Sequence, residues 1–100
     1  MAELGDITAI MAANEAFVPG RLIKFDFGGD GVILLDGVAA AVSNDDVAAE
    51  TTLRMSLDNF KAHAKGKLNP VMAVMMGKIK IDGDMALAMQ LQAVTAKIKL

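Results

Sequence analysis

Few residues in this 100-residue chain have the types and spacing to carry out chemistry, and each has a plain physical reading. His63, the sole histidine, sits between Lys61 and Lys65 on a stretch whose Phe60 and Ala64 face inward, which predicts a solvated imidazole. A zinc site needs three or four nitrogen, sulfur or carboxylate ligands, and the chain has no second histidine and no cysteine. Asp45, Asp46 and Glu50 match no calcium-loop spacing and read as a solvated turn. Asp82 and Asp84 flank Gly83, one placed to cap a helix and the other to face water. Gly28-Gly29-Asp30-Gly31 follows a strand, as a phosphate loop does, but a second strand follows it and no Lys-Ser/Thr pair is attached. It reads as a hairpin turn. No nucleophile–base pair stands out, so the residues point away from an enzyme and imply no cofactor.

Bulk properties narrow the classes further. The length fits one domain spanning residues 1–100, with 54% apolar and 22% charged residues. A net charge of −2 offers neither the basic footprint of a nucleic-acid binder nor a polybasic membrane patch. No apolar run approaches the roughly 18 residues of a membrane span. Glu3 and Asp6 precede the first basic residue, Arg21, which is not a secretory pattern. Together with the absence of cysteine this predicts a cytoplasmic protein. The terminal Ile98-Lys99-Leu100 faintly resembles a peroxisomal S-K-L address, the weaker alternative.

The elements follow from periodicity and punctuation. Residues 4–16 suit a short helix with Asp6 as N-cap and Ile7, Ile10 and Met11 on one face; Pro19-Gly20 ends it. Alternation over 21–27 turns Ile23, Phe25 and Phe27 to one side, as in a half-buried strand. A second strand at 32–36 completes a hairpin; a third is expected over 38–43 and a fourth over 51–55. Ser56 caps a helix whose inner residues are Leu57, Phe60 and Ala64. Asn69 and Pro70 begin another helix in favoured positions. A fifth strand at 78–82 points Ile79 and Ile81 inward, and Gly83-Asp84 opens the last helix. Hairpin strands first and helices later predict an α+β fold, a five-stranded, mostly antiparallel sheet covered on one face by helices.

The final helix is unusual. At about 100° per residue, Leu87, Leu91, Val94 and Ile98 form one stripe, while Met85, Met89 and Ala96 form a second on almost the opposite side. Gln90, Gln92, Thr95 and Lys97 fall in the gaps. Packing on a sheet requires one apolar face, so the other needs a cover. Five of the eight methionines lie between Met72 and Met89. Methionine fills irregular gaps in ordinary cores and equally suits a cavity that takes guests of varied shape; composition leaves both readings open.

Ser56-Leu57-Asp58-Asn59-Phe60, then Gly66-Lys67-Leu68-Asn69-Pro70, then GKIKIDGDMALAMQLQ at 77–92 resemble the C-terminal half of the sterol carrier protein type 2 (SCP-2) family. The family pattern there is a polar-capped helix carrying a Phe, a G-K-L-N/D-P step and a G-K-L-K-I-x-G-D/N-M-x-L-A-M-x-L-Q finish. FDFGGDG, ILLDG and VSNDD resemble its sheet, and the similarity covers roughly residues 20–98. The resemblance implies an SCP-2-like apolar tunnel between sheet and helices. It also implies binding of a fatty acid, fatty acyl-CoA, sterol or other isoprenoid lipid without a catalysed reaction. The short N-terminal helix and the absence of Tyr and Trp leave sterol as one candidate among several. Some relatives act as accessories in isoprenoid-quinone synthesis or as C-terminal modules of larger enzymes.

With the resemblance added, the second stripe of the final helix is expected to cover a lipid. Leu53, Met55, Leu57, Phe60, Met72, Met75, Met76, Met85 and Met89 would line the tunnel, with the last helix as a movable lid. Lys61, Lys65, Lys67, Lys78 and Lys80 are either a solvated surface or a weakly basic rim that meets headgroups or acyl-CoA phosphates. The expected partners are the lipid and, transiently, a membrane surface, with the chain a monomer or weak homodimer. The competing reading is a dimerisation or accessory module whose second helix face is covered by a protein.

Overall fold

The computed structural model describes residues 4–95. Among the described residues, four α-helices and five strands follow one another as α1 (Leu4–Ala13), β1 (Leu22–Asp26), β2 (Val32–Asp36), β3 (Ala41–Ser43), β4 (Thr51–Arg54), α2 (Leu57–Ala64), α3 (Pro70–Met75), β5 (Lys80–Gly83) and α4 (Met85–Thr95). The sheet order is β3-β2-β1-β4-β5. Neighbours are antiparallel except the central pair, where β1 runs parallel to β4 with Phe25 opposite Leu53. A parallel pair needs a crossover, supplied here by β2, β3 and the connection that follows. The sheet is therefore mixed, and the α+β layering expected from the sequence holds.

Alternation works as predicted on β1, where Ile23 and Phe25 are buried and their neighbours half-buried. Val32–Leu35 of β2 are buried on both faces. The reason lies on the far side of the sheet. Lys24, opposite Leu34, lays its stem there and donates from Nζ to Asp46 Oδ1 at 2.8 Å and to the Val47 carbonyl at 3.1 Å, which ties the 44–50 connection across that face.

The third strand is shorter than expected, Ala41–Ser43 rather than 38–43. Asp36 Oδ1 accepts from the Val38 and Ala39 amides at 3.0 and 2.9 Å, and this side-chain turn wins over poor strand formers. Helix α1 also ends early, at Ala13, and Asp6 lies within its first turn rather than at the cap.

On the helical face, Ile7 and Met11 of α1 join Ile23, Ile33 and Leu35 in one core. Phe60 of α2 fits edge-on between Phe25 and Phe27, with ring centroids 5.2 and 5.6 Å away. Ser56 Oγ accepts from the Asn59 amide at 3.0 Å and caps α2. Helix α4 packs over β4 and β5. Its start is fixed twice: Asp84 Oδ1 accepts from the Ala86 and Leu87 amides, and the Asp84 amide donates to the buried Thr51 Oγ1 at 3.0 Å. Gly83 is required at that corner, because at φ +126° a Cβ would stand 2.4 Å from the Glu50 carbonyl oxygen.

Candidate functional site

The helices do not fill the space above the β4–β5 end of the sheet. Between α2, α3, α4 and the strands lies a cavity of about 350 Å³, within the roughly 300–1,000 Å³ of small-molecule sites. The sheet side is Phe25, Leu53 and Met55, with Ile79 and Ile81 from the β5 segment. Helix α3 contributes Val74 and Met75, helix α2 contributes His63, and α4 supplies Met85, Ala88, Met89, Leu91, Gln92 and Thr95.

Five residues expected at such a site, Leu53, Met55, Met75, Met85 and Met89, are on its wall. Met75, Met85 and Met89 are also 78%, 51% and 64% exposed, so the cavity reaches the surface between α3 and the start of α4. Four others are elsewhere. Leu57 and Phe60 are core residues, packed out by neighbours that include the Phe25 and Phe27 rings around Phe60. Met72 and Met76, one helical turn apart, are exposed beside the cavity rather than lining it, because Ala73 and Val74 occupy the inward side of α3.

Helix α4 is two-faced, as its pattern requires. Leu87 and Leu91 are buried while Met85 and Met89 are exposed at the rim. Ala96, Lys97 and Ile98, placed in those stripes or their gaps by sequence, lie outside the described residues. Gln92 and Thr95, expected in the gaps, border the cavity. Thr95 is nearly fully buried and donates from Oγ1 to the Gln92 carbonyl at 3.2 Å.

His63 departs most from expectation. Its ring is half-buried and borders the cavity, and Nδ1 is buried with no hydrogen-bond partner among the described residues. The local signal was its position three residues after Phe60, which places it on the neighbouring inward face of the same helix. Its flanking lysines suggested water instead. Val74, Ala88 and Leu91 went unnamed as wall residues because nothing local separates an apolar residue against a void from one against another side chain.

Charge stays outside. Among the described residues no three His, Cys, Asp or Glu side chains could hold a metal ion, and no helix is long and apolar enough to cross a membrane. The acidity of Glu50 is perturbed. The Leu22 amide donates to its carboxylate at 2.9 Å and the Arg21 guanidinium adds a second contact at 3.1 Å, which together lower its pKa below the ordinary 4.5.

Fold and cavity define a class of small α+β domain, one sheet roofed by helices around an apolar space. The profile of the SCP-2 sterol transfer family matches residues 7–96, and the chain belongs to that family. It is 42% identical over 57 residues to sterol carrier protein 2 of Homo sapiens, a match covering 57% of this chain and 10% of that protein. Over 99 residues it is 38% identical to hydroxysteroid dehydrogenase-like protein 2 of Danio rerio, covering 93% of this chain and 24% of the relative. The chain thus spans between a tenth and a quarter of these relatives' lengths. The solution structure of sterol carrier protein 2 from Aedes aegypti in complex with palmitate superposes with a TM-score of 0.79 at 25% identity, covering 99% of this chain and 100% of that one.

Proposed function

We propose that this domain binds one hydrophobic lipid in the cavity under α4, without catalysing a reaction, and carries or presents it. The observation behind this reading is the cavity itself, walled by methionines and aliphatic side chains that also reach the surface. Its relative from Aedes aegypti in complex with palmitate supports a fatty acid among the candidate ligands. Burying a long alkyl chain gains about 0.8 kcal/mol per methylene, or roughly 10 kcal/mol gross for sixteen carbons. Losses of freedom on binding still leave micromolar affinity within reach.

The exposed Met72, Met75, Met76, Met85 and Met89 form an apolar apron at the cavity mouth, with Lys78 and Lys80 exposed beside it. Such an apron suits transient contact with a bilayer, where the lipid could pass without crossing water. A second reading draws on the same exposure: the methionines are covered by a second copy of the chain. Sedimentation at low micromolar concentration separates the two, since a stable dimer that takes up no lipid supports only the second.

A fluorescent fatty acid titrated into the protein is expected to bind with micromolar or better affinity. Met85→Asp with Met89→Asp should abolish that binding while the circular dichroism spectrum and melting midpoint stay near those of the parent, because both side chains are already largely in water. Normal binding by the folded double variant would overturn the site.

A further inference from the structure

We infer that His63 holds the polar end of the ligand inside the cavity, so that the preferred lipid ends in a free hydroxyl or carboxyl group. The inference rests on the cavity being a lipid site. Fourteen residues border the cavity and three have polar side chains, His63, Gln92 and Thr95. Thr95 already donates its hydroxyl proton to the Gln92 carbonyl. His63 Nδ1 is the one buried side-chain nitrogen or oxygen without a partner among the described residues.

Buried polar atoms are nearly always satisfied, and leaving one unpaired is costly. A plain hydrocarbon would leave the nitrogen as it is. A hydroxyl can donate to Nδ1, and in the other tautomer Nδ1–H can donate to a carboxylate. Histidine χ2 is broad and roughly two-fold, so the ring can turn to present either edge to a guest in the cavity it borders. The α4 wall is itself graded in polarity. Met85 and Met89 occupy its first turns and Gln92 and Thr95 its last, about 15 Å of helix from end to end, which gives an apolar mouth and a more polar far end.

A head held inside must be small. A hydroxyl or carboxyl fits this arrangement, whereas the large charged nucleotide of an acyl-CoA would have to stay in water and could not use His63. The ligand class narrows accordingly to long-chain acids and alcohols, sterol hydroxyls included.

The test displaces 1,6-diphenylhexatriene, an apolar fluorophore, with 1-dodecanol or with 1-chlorododecane, which matches it in length but lacks a donor. The alcohol-to-chloride affinity ratio should be about five- to tenfold higher in the parent protein than in His63→Leu, the worth of one net hydrogen bond. His63→Leu should show this fall in the ratio without lowering the melting midpoint, because it removes an unpaired polar atom. His63→Asn, which keeps a polar group on the wall, should restore part of the preference. An unchanged alcohol-to-chloride ratio in His63→Leu overturns the role of His63 while leaving the lipid site intact. Failure of the parent to take up the fluorophore at all removes both.

Discussion

One face of one sheet is covered in two different ways. Over β1 and β2 the cover is dense: Ile7, Met11, Ile23, Ile33, Leu35 and Phe60 are all at most 1% exposed. Over β4 and β5 the cover is open, and Met75, Met85 and Met89 stand half or more in water around an unfilled space. The difference follows from side-chain shape. The Phe60 ring locks edge-on against the stacked Phe25 and Phe27 rings in a fixed geometry, whereas unbranched methionines have no single packed arrangement to impose. The dense half supplies the stability that the open half forgoes, which is how a small domain keeps a cavity without losing its fold.

The sharpest way to break this contrast is to truncate one side chain on each side. Phe60→Ala should destabilise the protein by about 3–5 kcal/mol, whereas Met89→Ala should change stability by no more than about 0.5 kcal/mol, both read from urea unfolding. Comparable losses at the two positions would mean that the open half is as tightly packed as the dense one. A middle-sized effect is expected at the joint. Thr51→Val leaves the Asp84 amide without its Oγ1 acceptor and should cost about 1–2 kcal/mol, with faster amide exchange confined to the first turn of α4.

The smallest effect is electrostatic. The folded pKa of Glu50 is lowered first by the Leu22 amide and then by Arg21. Its contribution is therefore present above about pH 4.5 and lost as pH falls through the folded value. Because Glu50 is exposed, Glu50→Gln should only slightly flatten the acid limb of the stability profile between about pH 5 and 3. A flattening near neutral pH would point to a different group.

The strands and helices were legible where pattern and punctuation agree. Alternation marked β1, Ser56 marked the start of α2, and Gly83-Asp84 marked the start of α4. The family motifs at 56–60, 66–70 and 77–92 pointed to the same fold. Local reading failed where two signals competed, as at 38–40, where the Asp36 side chain captures two amides that a strand would have used. It failed again at His63, where flanking charge suggested water and helical phase pointed inward.

What the sequence by itself determined is the two-faced final helix, because side-chain period and residue type are properties of the chain alone. Which inward residues meet one another and which meet empty space was decided only in three dimensions. Phe60 and Met75 are both apolar residues on short helices, yet one closes on two rings and the other borders a void. That outcome depends on how far each helix stands from the sheet, a distance set by all the packed side chains together and encoded at no single position.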